Sequence, residues 1–199
     1  MTRVDPPAPP YAFAVFLILA GIIGWTAAAV LMVERSVLLE DPDATLACDF
    51  SLLVQCGKNI TSWQGSLFGF PNPVIGLVGF VAPVVMGTAL LLRRRPARWV
   101  WSGFNLGVLG ALVFVIWLIY QSIFELATLC PWCMVVWSVT IPLFWSVTLY
   151  NLKEGHLGGG PALRRFAEAA YSWVPAITVG SYLVVAIVAQ VRLDVLSYL

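Results

Sequence analysis

The sequence predicts an all-α integral membrane protein with five transmembrane helices. Three observations predict it. Hydrophobic residues fill 60% of the 199 positions and charged residues only 11%, against roughly 45–50% and 25% in ordinary soluble domains. A soluble fold of this size could not hide so much apolar surface without exposing aggregating patches. Five stretches approach the roughly 20 mostly apolar residues that a bilayer-crossing helix needs. The basic residues, finally, are distributed unevenly between those stretches. The formal net charge is only +1, so nothing implies a nucleic acid partner.

The first span is predicted over Tyr11–Val33. The competing reading is a cleaved signal peptide with its cut near Ala27-Ala28-Ala29. Its apolar run exceeds the usual h-region of roughly 7–15 residues, and Asp5 balances Arg3 ahead of it, so an uncleaved span is favoured. A loop over Glu34–Asn72 follows, then a second span at Pro73–Leu92. The link Arg93, Arg94, Arg95, Pro96, Ala97, Arg98 leads to a third span at Trp99–Ile123. The fourth covers Pro131–Tyr150, and the segment Asn151–Ser172 leads to a fifth at Trp173–Val191. Pro, Gly, Arg or Trp marks each end, as expected where a helix leaves the hydrocarbon.

Orientation follows from lysine and arginine. Arg3, Arg93, Arg94, Arg95, Arg98, Lys153, Arg164 and Arg165 share one side, eight of the eleven basic residues. The other side holds Arg35, Lys58 and Arg192 among seven carboxylates: Glu34, Glu40, Asp41, Asp43, Asp49, Glu125 and Asp194. The positive-inside rule then predicts a cytoplasmic N-terminus and an extracytoplasmic Glu34–Asn72 loop.

All four cysteines fall on that outer side. Cys48 and Cys56 lie in the loop; Cys130 and Cys133 lie where the fourth span begins. Thiols gathered on an oxidising face imply disulfide chemistry, either as inert staples or as a redox relay. Cys130-Pro131-Trp132-Cys133 favours the relay. Proline suits the first helical position, which makes Cys130 the N-cap and Cys133 the third helical residue. Both sulfurs then sit near the positive end of the helix dipole, where thiolate is favoured. A bridge over so short a loop adds little stability. The motif could instead hold zinc, but a tetrahedral site would also need Cys48 and Cys56. On a straight helix those two would stand about 12 Å apart, and a disulfide needs Cα atoms within roughly 7 Å. Either the chain turns so that they pair, or Cys56 reaches down to Cys130.

Thiols yield two electrons, and the lipid-soluble two-electron acceptor in a membrane is a quinone. A pocket for one should be apolar, aromatic and sparsely polar. Ile60, Ser62, Trp63, Phe68, Phe70 and Asn72 of the loop lie near the cysteines, with Ile75 just beyond. Trp117, Leu118, Gln121 and Phe124 close the third span, and Trp132 and Trp137 open the fourth. Polar groups within spans are costly, which makes Gln121 a candidate contact and Asn105 a further one. Against this, tryptophans also form interfacial belts and amides bridge helices. No cytochrome or flavin motif is present.

These residues resemble the vitamin K epoxide reductase family, in particular its bacterial members that oxidise DsbA-like proteins. The resemblance rests on Cys48 and Cys56 with their spacing, Ser62, Gly65, Phe68 and Gly69, Asn72 with Gly76 four positions on, and Cys130 with Cys133 opening a span. It covers about residues 11–150. It implies a four-helix catalytic bundle around a quinone pocket over residues 1–150, with the external loop at 34–72. Residues 151–199 then form a cytoplasmic connection and an additional fifth span. The resemblance further implies that Cys48 exchanges with the partner, Cys56 shuttles to Cys130, Cys133 attacks the quinone, and Asn72 donates to a quinone carbonyl. Ser62, Ile60, Trp63, Phe68, Ile75, Leu118, Gln121 and Trp137 are the other expected quinone contacts, and no metal ligand is expected.

Trp137 stands where animal members carry tyrosine, which weakens epoxide reduction and leaves quinone reduction open. No thioredoxin-like domain is fused, so a separate DsbA- or thioredoxin-like dithiol protein is the expected partner. The Arg-rich, Lys-poor composition suits a menaquinone or vitamin K-type quinone and a bacterial inner membrane. The DsbB-type oxidases carry their C-x-x-C in the first external loop, the reverse of the order here. A vitamin K (epoxide or quinone) reductase proper and a Cys-ligated metal-binding membrane protein are the alternatives. His156, in a Gly-rich connection, reads as solvated, and Glu125 as close enough to influence Cys130.

Overall fold

The computed structural model describes residues 11–94 and 96–198; Arg3, Asp5 and Arg95, which entered the charge count, lie outside them. Five helical segments are long and apolar enough to cross a membrane. Helix α1 is Tyr11–Glu40 and the short α2 is Gly57–Thr61. The second span is split into α3, Pro73–Gly79, and α4, Val81–Leu91. The third is α5, Arg98–Tyr120, continued by a π-helical segment at Gln121–Leu126. The fourth is α6, Pro131–Lys153; α7, Pro161–Tyr171, precedes α8, Val174–Leu193. Among the described residues there is one isolated parallel bridge, Val54 with Leu129.

Helix α1 is the central post, packed on α3, α4 and α6, while α5 packs on α6 and α8 lies outside against α6. Phe13, Ala14, Leu17 and Ala20 of α1 meet Met86 and Leu90 of α4, Trp101 and Val108 of α5, and Val139, Leu143 and Val147 of α6. In lipid, helices associate through close packing rather than the hydrophobic effect, so small residues mark the contacts. A Cβ on Gly87 would stand 2.6 Å from the Ala14 carbonyl oxygen and 3.1 Å from Leu17 Cβ. A main-chain oxygen in a helix cannot step aside, so overpacking outweighs the gain in helix propensity. Gly87→Ala should therefore cost roughly 1–2 kcal/mol, read as a lower thermal midpoint in detergent.

Several expectations are corrected. Helix α1 continues seven residues past Val33, so the loop begins at Asp41 rather than Glu34. Hydropathy marks where lipid ends, but Glu, Arg and Leu continue a helix readily in water. It stops at Asp41 because Pro42 disfavours helical geometry in the residue before it. The second span breaks at Phe80, whose N–H bonds the Gly76 carbonyl at 2.9 Å. Pro83, lacking an N–H, cannot continue the ladder to Gly79. The segment read as a plain connection contains α7, whose Ala167 is buried and which packs on α6.

Pro142 lies inside α6 and leaves the Ser138 carbonyl without its intrahelical partner. The Tyr182 hydroxyl of α8 donates to that carbonyl. The Trp145 indole N–H donates to Ser181 Oγ at 3.3 Å, a second tie between the two helices.

Candidate redox site

The loop between the first two spans is shaped by Asp49. Its Oδ1 accepts from the Cys56 N–H at 2.7 Å and the Gly57 N–H at 3.3 Å; its Oδ2 accepts from Leu46 N–H at 3.4 Å. One carboxylate thus caps the first turn of α2 and ties it to the turn carrying Cys48. Between the cysteines the chain doubles back, with the Phe50 and Ser51 N–H groups on the Val54 carbonyl at 2.9 and 3.0 Å. That turn answers the spacing problem. The Cys48 and Cys56 Cα atoms are 5.8 Å apart and the two residues form a disulfide.

The same loop is tied to the fourth span. Gln55 N–H donates to the Leu129 carbonyl at 3.1 Å, and Leu129 N–H to the Leu53 carbonyl at 2.8 Å. Lys58 Nζ adds a bond to the Leu126 carbonyl at 2.6 Å. Cys130 is the N-cap of α6, with Pro131 at its first position as the sequence predicts, and Cys130 Sγ accepts from Cys133 N–H at 3.4 Å. The consequence is a sulfur cluster: Cys130 Sγ lies 3.4 Å from Cys56 Sγ. Cys56 therefore pairs with Cys48 and touches Cys130 at once, so both open alternatives describe neighbouring geometries.

Cys130 and Cys133 are free thiols. Hydrogen bonding from the Cys133 side chain holds the Cys130 thiol below its usual range, with backbone N–H groups helping; desolvation and the Asp49 charge oppose. Leu31, Leu46 and Ile60 pack around Cys48, Cys56 and Cys130. Cys48 is only 3% exposed, so a protein partner reaches its sulfur only when the loop lifts. Asp49→Ala removes the fastening of that loop without touching a cysteine. It should raise the modification rate of Cys48 and Cys56 in reduced protein severalfold, measured by timed alkylation and mass spectrometry.

Beside the cluster lies a cavity of about 610 Å³ with Cys133 on its wall, within the range of about 300–1,000 Å³ usual for small-molecule sites. Ile60, Ser62, Phe68 and Asn72 line it from the loop and Ile75 from α3. Leu118 and Gln121 face it from the third span and Trp137 from the fourth. Of the expected contacts, Trp63 is outside it. Its side chain is 65% exposed and packs edge-on to Trp117, with ring centroids 6.1 Å apart. The turn of 3₁₀ helix at Trp63–Ser66 aims Gln64 inward instead.

Asn72 is partly committed: its Nδ2 donates to the Gln64 carbonyl at 2.6 Å and its Oδ1 accepts from Leu67 N–H at 3.2 Å. One amide hydrogen remains for the cavity. Asn105 is elsewhere, bonded to the buried Asn151 at 3.1 Å. Asn151 also faces His156 Nδ1 at 3.1 Å, and the His156 ring stacks on Trp101 at 5.3 Å. His156 is thus packed on the bundle rather than freely solvated, and that burial lowers its pKa. The charge influencing Cys130 is that of Asp49, not Glu125.

Reading the sequence missed Gln64 and Arg35, both on the cavity wall. Gln64 Nε2 donates to Gln121 Oε1 at 3.3 Å. The signal for Gln64 was an amide among loop aromatics, and for Arg35 a position one helical turn beyond Leu31.

A quinone fits what is present. The wall is mainly apolar, and the buried Gln64 Oε1 and Trp137 Nε1 are polar atoms without a protein partner. Buried polar atoms normally have partners, so those left over on a cavity wall mark places for a ligand's polar groups. Zinc fits less well, since two of the four thiols are tied up in a disulfide. Among the described residues no three His, Cys, Asp or Glu side chains are grouped to hold a metal ion. The model of the vitamin K epoxide reductase family matches residues 15–148. No curated protein matches the chain.

Proposed function

Because this chain belongs to the vitamin K epoxide reductase family, we propose that it reoxidises a separate DsbA- or thioredoxin-like protein and passes the electrons to a menaquinone-type quinone. The family consists of quinone-linked thiol oxidoreductases that work with thioredoxin-like partners, and the chain is a multi-pass membrane protein. The observation that carries the finer reading is the 3.4 Å contact between Cys130 and Cys56 sulfurs, with Cys133 facing the cavity.

The partner's thiolate attacks Cys48, breaking the Cys48–Cys56 bond and releasing Cys56 as a thiolate; the partner's second thiol then frees Cys48. Cys56 attacks Cys130 of an oxidised Cys130–Cys133 pair, and Cys133 leaves as a thiolate. Cys48 closes back on Cys56, which leaves Cys130 and Cys133 as the dithiol. A Cys48–Cys56 disulfide beside free Cys130 and Cys133 thiols supports this order of exchange. When bound, a quinone supplies an acceptor for two electrons and two protons. Cys133 delivers the electron pair from the cavity wall while Cys130 forms the new S–S bond. Asn72 and Trp137 offer N–H donors to the ring oxygens.

Residues 1–150 make the catalytic bundle in this reading, and residues 151–199 the connection and fifth helix. Arg93, Arg94, Arg164 and Arg165 lie between spans and Arg98 and Lys153 at span ends, all at the end opposite the cysteines, which supports a cytoplasmic N-terminus in a bacterial inner membrane and extracytoplasmic cysteines. The test is purified chain in detergent with reduced DsbA-like protein and menaquinone. Quinone absorbance should fall in step with loss of partner thiols. Oxidised partner without quinol, or neither change, would overturn the reading.

A further inference from the structure

Arg35 lines the cavity, and no carboxylate among the described residues forms an ion pair with it. Among the described residues the only ion pair is Lys153–Glu154. Its Nη1 donates to the Ile60 carbonyl at 2.9 Å, while its Nε is buried with no partner. A guanidinium has five N–H donors, always charged. The side chain is half-buried, and holding such a charge in a partly desolvated site without a counter-charge is costly. Arginine cannot neutralise itself by losing a proton. Beside it on the same wall, Gln64 is 6% exposed and its Oε1 also lacks a partner. A donor that carries charge and an acceptor that does not are therefore both left over on residues that line one cavity.

The Arg35 bond to Ile60 links it to the group that includes Cys130 and Cys133, because Ile60 packs there. Yet Arg35 is not among the charges acting on the Cys130 thiol, where Asp49 is.

We propose that Arg35 is the cation that holds negative charge arriving on a quinone ring oxygen, with Gln64 as the acceptor for the hydroxyl formed there. This rests on the quinone reading above. The balance is simple: two thiols become one disulfide and release two electrons and two protons, which together convert a quinone to a quinol. Negative charge on a ring oxygen precedes its protonation, and a fixed cation in a dry site stabilises that charge without reorganising.

The test is binding, not turnover. The ligands are neutral 1,4-naphthoquinone and its 2-hydroxy derivative, which is ionised at neutral pH, titrated by quenching of tryptophan fluorescence. Arg35→Gln should weaken the anion by about tenfold or more while changing the neutral ring by less than about threefold. Arg35→Lys should recover most of the anion binding. Equal losses for both ligands would make Arg35 a strap for the Ile60 turn and overturn the inference, as would no loss for either. So would competition for the anion by phosphatidylglycerol that depends on Arg35, since the cation would then be a lipid headgroup site. Should the glutamine variant fail to fold, phenylglyoxal labelling of the unaltered protein gives the same answer. The anion should protect Arg35 and the neutral ring should not; equal protection overturns the inference. If the unaltered protein binds neither ring, the quinone reading itself fails. If it binds both without dependence on Arg35, only this inference fails.

Discussion

Cys133→Ala should abolish quinol formation while leaving exchange between the partner and the loop disulfide intact. Cys133 is the only one of the four cysteines on the cavity wall; Cys48, Cys56 and Cys130 are packed together behind Leu31 and Ile60. Without Cys133, electrons reaching Cys130 have no sulfur from which to enter the cavity. The expected loss in turnover is on the order of a thousandfold or more, as for removal of a nucleophile that acts as part of a unit. Two measurements separate this from misfolding. Mixed disulfide with the partner should still form at Cys48 with release of the Cys56 thiol, and without the partner each chain should keep one disulfide, which attack of the Cys130 thiolate on Cys56 can only move from Cys48–Cys56 to Cys56–Cys130, freeing Cys48. Quinol production at the parental rate would remove Cys133 from its place in the chain of transfer.

The second large effect concerns the link between the pairs. Treated with a disulfide oxidant such as oxidised glutathione, a Cys48→Ala/Cys133→Ala double variant should convert the remaining thiols, 3.4 Å apart, to a Cys56–Cys130 disulfide in nearly all molecules, with two reduced glutathiones released. Contact at that range corresponds to an effective concentration far above any added thiol, so the internal bond should resist mild reduction. Cys130→Ser should correspondingly cut electron flow on the order of a thousandfold, with the loop disulfide still present. Peptide mapping without reductant reads both. A double variant whose two thiols stay free and react readily with alkylating reagents would break the relay.

Much of this was legible because lipid imposes blunt rules. A span must be long and apolar, and all five were visible on that ground. The cap geometry at Cys130 was legible too, since Pro131 has few places to go other than a first helical turn. What escaped depends on contacts distant in sequence. Asn105 looked like a cavity residue until the fold paired it with Asn151, 46 positions away. His156 looked solvated until Trp101 came beneath it. Trp63 and Gln64 are neighbours, and only the handedness of one short turn decides which faces inward. Arg35 lay in what read as loop, because hydropathy reports the boundary of the lipid and not the end of the helix. The Asp49 carboxylate was one acidic residue among several until its three N–H partners were in place.

The hydroxyl that Tyr182 lends to the Ser138 carbonyl means that the family-matched portion, residues 15–148, is not chemically self-sufficient. Cut away after residue 150, it would turn a bare main-chain oxygen toward hydrocarbon, an expense of roughly 1–3 kcal/mol with no water at hand to relieve it. A borrowed greasy helix in place of α8 would not mend this unless it carried a hydroxyl at the same height. The last span therefore props up a proline two helices earlier in the chain, and a shortened version of this protein should regain stability if Pro142 is replaced along with the loss of Tyr182.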